Sequence, residues 1–387
     1  MQNFVFHNPV KILFGKGTIP AIGPETAAFG KRILLVYGRR AIKENGIYDR
    51  VVESLQAADL EIFEHGGVRA NPRLGHVEAG IALARRHGVE AIVAAGGGSV
   101  IDSAKAIAAG ALADHNVWLF FTGKKSIKRV LPLTCVLTLA ASGSEMNSAM
   151  VLTHEAKELK FGFANRLLYP RVSILDPEAT YTVPPAHTVY GAVDAISHVL
   201  EFYCTTLDPD TPVQDRFMEG LLANAMASCE RLLADPRDYG ARANMMWSAT
   251  LALNGLTAAG LGKVGFPMHL IEHSLSSLHD VVHGAGLSVV MPAWMRYHLE
   301  EKKARFAQLG RRLFGIEAQD DRAAALAAVE KLQAWLTSVH SPVTLQELDI
   351  PASDIPRLAA NTQPQAKIWR LPEYTAARVE EILRLCQ

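Results

Sequence analysis

Asp194 and His198 stand four residues apart in the stretch Gly191-Ala192-Val193-Asp194-Ala195-Ile196-Ser197-His198. On a helix that spacing puts both side chains on one face, about one 5.4 Å turn apart. Met268-His269-Leu270-Ile271-Glu272-His273 repeats the device with two histidines, and His279 and the run Val282-His283-Gly284-Ala285-Gly286 follow. Four of the 14 histidines thus fall between residues 269 and 283. A divalent cation takes neutral imidazoles and often one carboxylate. Asp194 and His198, with His269 and His283 from the cluster, would supply three nitrogens and one oxygen, a set suited to Fe²⁺ or Zn²⁺. His273 either lines a substrate cleft or packs, His279 reads as structural or peripheral, and Glu272 as a cap or pairing residue. No cysteine is near, which excludes a structural thiolate zinc site.

A second kind of chemistry is written in two small-residue loops. Gly96-Gly97-Gly98-Ser99 follows a strand and opens a helix, where bare glycine backbone and the free N–H groups of a helix start favour a phosphate. It is neither GxGxxG nor a P-loop. Asp102 and Lys105 lie in the first turns of the helix that follows. Thr138 and Ser142-Gly143-Ser144-Glu145 offer hydroxyls and amides after another strand. Ligands of open α/β sheets gather at such carboxyl ends, so the two loops suit a pyrophosphate and a nicotinamide. At the end of an earlier strand, Tyr37-Gly38-Arg39-Arg40 has two arginines where an acidic residue would bind the 2′-hydroxyl of NAD. Arginine suits a 2′-phosphate, so NADP(H) is expected over NAD(H).

These groups need elements to hold them. Residues 4–14 read as one or two strands; 31–38, 60–67, 89–99, 130–140 and 171–177 read as further strands, with helices over 47–57, 72–87 and 100–113 between them. That alternation predicts a parallel, Rossmann-like α/β sheet domain over residues 1–183. Beyond Pro184-Pro185 the β-branched runs vanish. Helices are expected over 187–204, 213–233, 239–261, 267–278, 300–313, 320–338 and 376–385, which make an all-α domain over 184–387. Residues 340–372 are the least regular part.

The bulk numbers leave room for this and exclude other classes. Hydrophobic residues make up 49% and charged residues 20% of 387 residues, enough for two packed cores. Lys plus Arg balance Asp plus Glu at 39 each, so no global field points to nucleic acid or a membrane surface. Four cysteines without metal or disulfide spacing read as reduced thiols. No basic leader and no long apolar run is present, so a cytoplasmic enzyme is expected.

The motifs GGGSVIDSAK (96–105), TLAASGSE (138–145), ILDPEATYTVPP (174–185), GAVDAISHVLE (191–201) and MHLIEHSLSSLHDVVHGAG (268–286), taken in this order, resemble the iron-containing (group III) alcohol dehydrogenase family. ILFGKGTI (12–19) looks like its start, and the nearest branch is the butanol dehydrogenase and NADPH-dependent aldehyde reductase group. The resemblance implies the dehydroquinate synthase-like architecture and the metal set Asp194, His198, His269 and His283, with His273 near the substrate. It also implies cofactor contacts from Gly38, Gly97, Gly98, Ser99, Asp102, Thr138, Ser142 and Lys160. Ser142 replaces the family's usual threonine and keeps its hydroxyl, Ala140 stands where a proline is common, and Arg39 and Arg40 replace small residues. The expected activity is hydride transfer between NAD(P)(H) and a primary alcohol or aldehyde, in a homodimer. The alternatives are a metal-dependent lyase of the dehydroquinate synthase kind, a metal-free reductase of the maleylacetate type and a metal-binding protein without catalysis.

Overall fold

The computed structural model describes residues 1–208 and 210–387. Among them the chain forms two compact units: His7–Val183 with Pro236–Thr250, and Met1–Phe6 with Pro184–Asp235 and Leu251–Gln387.

The first unit runs β1 (Lys11–Phe14), α1 (Ile22–Ala27), β2 (Arg32–Tyr37), α2 (Ala41–Glu44), α3 (Ile47–Ala57), β3 (Glu61–His65), α4 (Leu74–Arg86), β4 (Ala91–Gly96), α5 (Gly98–Ala111), α6 (Trp118–Phe121), β5 (Leu133–Leu137), β6 (Ala149–His154), β7 (Leu159–Ala164) and β8 (Val172–Leu175). Six strands form one parallel sheet in the order β1-β8-β5-β4-β2-β3. Ile33, Leu34, Leu35 and Val36 of β2 and Ala91 to Ala94 of β4 are wholly buried, as a strand covered on both faces requires. The chain moves outward from β2 to β3 and then returns to lay β4 on the other side of β2. The crevice-forming switch of direction therefore lies between β2 and β4.

Two features of the sheet unit depart from the sequence reading. Of the expected N-terminal strands only residues 11–14 pair; β1 is the sheet edge, and among the described residues no further strand pairs with it. The preceding Phe4, Val5 and Phe6 are exposed, Val5 at 96%. The antiparallel hairpin β6–β7 was not anticipated; its turn needs a left-handed backbone at Glu158, a residue with no turn signature.

The helical elements are α7 (Pro185–Thr205), α8 (Pro212–Ala234), α9 (Tyr239–Ala252), α10 (Pro267–His279), α11 (His283–Tyr297), α12 (Leu299–Leu313), α13 (Asp321–Ser338), α14 (Ile355–Ile368) and α15 (Ala376–Arg384). Proline opens α7, α8 and α10, where its missing N–H costs no helical bond. Residues of α9 up to Thr250 belong to the sheet unit. Trp247 meets Phe14 edge-on at 5.8 Å, and the Thr250 hydroxyl donates to Glu145 Oε1 at 2.5 Å. Helices α11 and α14 fall where no helix was expected: α11 starts in a glycine-rich turn and both carry an internal proline, Pro292 and Pro364.

Gly284 explains how α11 reaches α7. A Cβ there would lie 2.1 Å from the Tyr190 carbonyl oxygen, inside any real contact. Gly284→Ala is therefore expected to push α11 off α7 and cost about 1–3 kcal/mol, measured as a lower midpoint in denaturant titration.

Candidate active site

Helix α7 carries Asp194, His198 and Glu201 at i, i+4 and i+7, a single face. Helix α10 carries His269, Glu272, His273 and Ser276 in the matching pattern, and His283 is the first residue of α11. Packed together, these helices bring three imidazoles around one carboxylate oxygen. The Nε2 atoms of His198 and His269 lie 3.7 Å from Asp194 Oδ1, and Nε2 of His283 lies 3.6 Å from the same atom. These separations are too long for hydrogen bonds. Among the described residues, Asp194 Oδ1 and His269 Nε2 are buried and have no hydrogen-bond partner.

Orphaned buried polar atoms are rare, and a set of them converging on one point asks for a ligand. Donors about 2.1 Å from a tetrahedral cation are roughly 3.4 Å apart, close to the spacing found. The residues present therefore fit a divalent cation. Glu272, His273 and His283 form a second group with ligand-type atoms mutually within 4.8 Å. Glu272 bonds Nδ1 of His283, the opposite side of the ring from the nitrogen facing Asp194. The second group is thus the back of the first site rather than a separate one.

Burial by itself would raise the Asp194 carboxyl, but the imidazoles around it outweigh burial and hold it well below its usual range. His198 is pushed down to about 3, first by burial and then by His269 and His283, against the pull of Asp194. His269 goes the other way, up to about 9. Burial opposes its charge, and Asp194 and Glu201 together overcome it.

His273 Nδ1 pairs with Gln365 Oε1 at 3.1 Å, and its ring lies edge-on to Trp369 at 5.4 Å. Phe266 stands edge-on to His269 at 5.4 Å and to Trp369 at 6.2 Å. Phe266, Trp369 and His283 are only partly buried, so the centre's accessible side is largely aromatic. His279 faces Asp354 at 3.2 Å and takes no part in the cluster. Sequence reasoning missed Glu201, Phe266, Gln365 and Trp369. Glu201 shares the helical face of Asp194, a usable signal; Gln365 is 92 residues from its partner and had none.

In the sheet unit the residues expected to hold the cofactor leave three neighbouring strands at one edge. Tyr37 of β2 is in register with Ala95 of β4, and Gly96 of β4 with Leu137 of β5. The loops at Gly38–Arg40, Gly97–Ser99 and Thr138–Ser142 therefore form a row about 10 Å across. Gly97 starts α5 without any side-chain cap, which leaves its first amides open. A Cβ on Gly98 would fall 2.2 Å from the Ser142 hydroxyl, so the two loops touch only because residue 98 is glycine. Gly38 meets nothing closer than 3.9 Å.

Arg39 and Arg40 are exposed at the head of α2. Asp102 is buried; its Oδ1 accepts from Ser144 Oγ at 2.6 Å and its Oδ2 from the Val151 amide at 3.0 Å. It therefore braces the second loop as well as lying beside it, and burial raises its carboxyl against the pull of Lys105. Lys160, on β7, is buried and donates to Asn71 Oδ1 at 2.9 Å.

Comparison with known proteins follows the same division. Residues 9–177 match the iron-containing alcohol dehydrogenase family, and residues 188–387 match the C-terminal region of the Fe-containing alcohol dehydrogenase family. The chain belongs to this family. It is 41% identical over 386 residues to a probable NADH-dependent butanol dehydrogenase of Bacillus subtilis, covering 99% of each chain. It is 36% identical to the NADPH-dependent aldehyde reductase YqhD of Escherichia coli, covering 92% of each. Its fold matches the crystal structure of an NADH-dependent butanol dehydrogenase of Thermotoga maritima with a TM-score of 0.96 and 43% identity, over 100% of this chain and 99% of that one. The protein is thus an oxidoreductase of the alcohol dehydrogenase kind, with a metal and a nicotinamide cofactor. The lyase and the non-catalytic alternatives do not survive this membership.

Because Asp194 and Glu201 hold His269 up at about 9 against burial, a cation bound at its Nε2 near neutral pH would have to displace a proton. The sign follows: apparent metal affinity should rise with pH up to about pH 9 and fall below it. Calorimetric titrations with Zn²⁺ in buffers of different ionisation enthalpy should show proton release on loading at pH 7 and little at pH 10.

Proposed function

We propose that the enzyme exchanges a hydride between NADP(H) and a short primary alcohol or aldehyde at one divalent cation, Fe²⁺ or Zn²⁺, held by Asp194, His198, His269 and His283. The observation that carries the reading is the meeting of three imidazole nitrogens on a single buried Asp194 oxygen. The cation supplies Lewis acidity towards the substrate oxygen, and the nicotinamide supplies the redox chemistry. The chain's own residues do the rest. Phe266 and Trp369 favour an apolar substrate tail and keep water from the rings beside them. Gln365 fixes the ring of His273, whose second nitrogen is our candidate for passing a proton. Gly97, Gly98 and Ser99 offer open amides to the pyrophosphate. Thr138 and Ser142 offer hydroxyls from the adjoining loop, Asp102 holds that loop, and Lys160 adds positive charge nearby.

The preference for NADP(H) rests on this chain's own Arg39 and Arg40. Both are exposed beside Gly38, and among the described residues neither guanidinium is tied up in an ion pair. Relatives named for NADH and for NADPH both occur, so the relatives' names do not choose between the two cofactors. The exposed Phe4-Val5-Phe6 strip supports a homodimer, and four buried free cysteines suit a reducing cytoplasm.

Three measurements test this. Chelator-stripped protein should lose turnover of short aldehydes and regain it with Fe²⁺ or Zn²⁺; full turnover without metal would sink the mechanism. An Arg39→Asp/Arg40→Gly variant should raise the KM for NADPH at least tenfold and leave that for NADH nearly unchanged. Val5→Asp should shift sedimentation from dimer towards monomer.

A further inference from the structure

The mechanism leaves two wholly buried carboxylates, Glu201 and Glu272, without a task. Oε1 of Glu201 accepts from Nδ1 of His269 at 3.1 Å and from the His269 amide at 2.8 Å. One oxygen of α7 thereby caps the first turn of α10 and fixes the ring of one ligand. Oε2 of Glu272 takes Nδ1 of His283 in a short contact, and its Oε1 takes the Ser276 hydroxyl. Room for this second carboxylate is made by Gly286, where a Cβ would lie 2.8 Å from the Glu272 side chain. Both imidazoles are thus held from behind by an acid, with Nε2 turned towards Asp194. His198 differs: its Nδ1 is buried and has no hydrogen-bond partner.

We infer that Glu201 and Glu272 are positioning residues for the cation. By accepting the Nδ1 proton of His269 and His283, they fix the tautomer that leaves each Nε2 lone pair free, lock each ring's angle and make it a stronger donor. The site's metal affinity then depends on two residues that never touch the metal. Retention of His198 rests on its spacing from Asp194 along one helix. This inference rests on the four-ligand reading above.

The test is the dissociation constant for Zn²⁺, measured by competition with a chromophoric chelator, together with the melting temperatures of metal-free and metal-loaded protein. Glu201→Gln and Glu272→Gln each keep an acceptor and remove the charge, and each should weaken binding by about 10- to 100-fold. The melting temperature of the metal-free form should hardly change, while the rise on metal loading shrinks. Glu201→Asp and Glu272→Asp keep the charge and draw it back from the ring. They should show smaller losses of the same kind, and they carry the test if a Gln variant does not fold. Wild-type affinity in the folded variants would overturn the inference. So would equal destabilisation of both forms at unchanged affinity, since that is a purely structural role. Asp194→Asn tests the underlying reading separately: if it binds Zn²⁺ as tightly as the parent, the ligand set itself is wrong, whatever the glutamates do.

Discussion

Three imidazole nitrogens aimed at one buried carboxylate oxygen, none close enough to bond it, are the constraint on which the rest of the helical unit depends. Unpaired polar atoms inside a protein cost free energy on the order of 1–3 kcal/mol each. A ligand that accepts or donates to them removes that cost. A cation that did so would bind the folded state alone, so its binding free energy would add to the stability of the helices around it. Helices α7, α10 and α11 would thus both hold a cation placed there and be held by it.

The close approach of those helices has a visible cost in residue choice. Gly284 lets α11 meet the backbone of α7, and Gly286 leaves space for Glu272. The motif His-Gly-x-Gly is therefore one imidazole of the cluster followed by two absences of side chain. The first absence places the helix that starts with His283, and the second admits the acid that turns its ring. The sheet unit applies the same device at Gly98, where a missing Cβ lets the loops after β4 and β5 touch. In both units glycine serves the close approach of neighbouring segments, not turn geometry.

The two units also handle buried charge differently. Around the metal centre the carboxylates of Asp194, Glu201 and Glu272 face imidazoles and leave lone pairs for a dication. Under the cofactor edge, Lys105 is wholly buried but gives hydrogen bonds to Ser144, to both Asn147 oxygens and to the Ala149 carbonyl, with Asp102 bonded to Ser144 beside it. That network is complete in itself. It stiffens the loop that follows β5 and asks for no partner. Of two polar clusters buried alike, only one is chemically unfinished, and that difference separates a site from its support.

Helical periodicity is a local property, and so it was legible in the sequence: it pairs Asp194 with His198 and His269 with His273 before any packing is known. The parallel sheet was legible for a similar reason, since runs such as Ile33–Val36 and Ala91–Ala94 are apolar enough to be buried on both faces. What the sequence could not decide was which member of the second cluster faces Asp194. His273 and His283 differ there only in where α10 ends and how α11 crosses α7, and the resemblance to a family had to stand in for that geometry. The same holds for Glu201 as a partner of His269, for Gln365 behind His273 and for the failure of residues 4–10 to form a strand. Each depends on a contact between segments far apart in the chain, or on the lack of one. Residue type and spacing determined what chemistry this protein can do. Tertiary structure decided which side chains come together, because a ring's angle is set by what packs behind it.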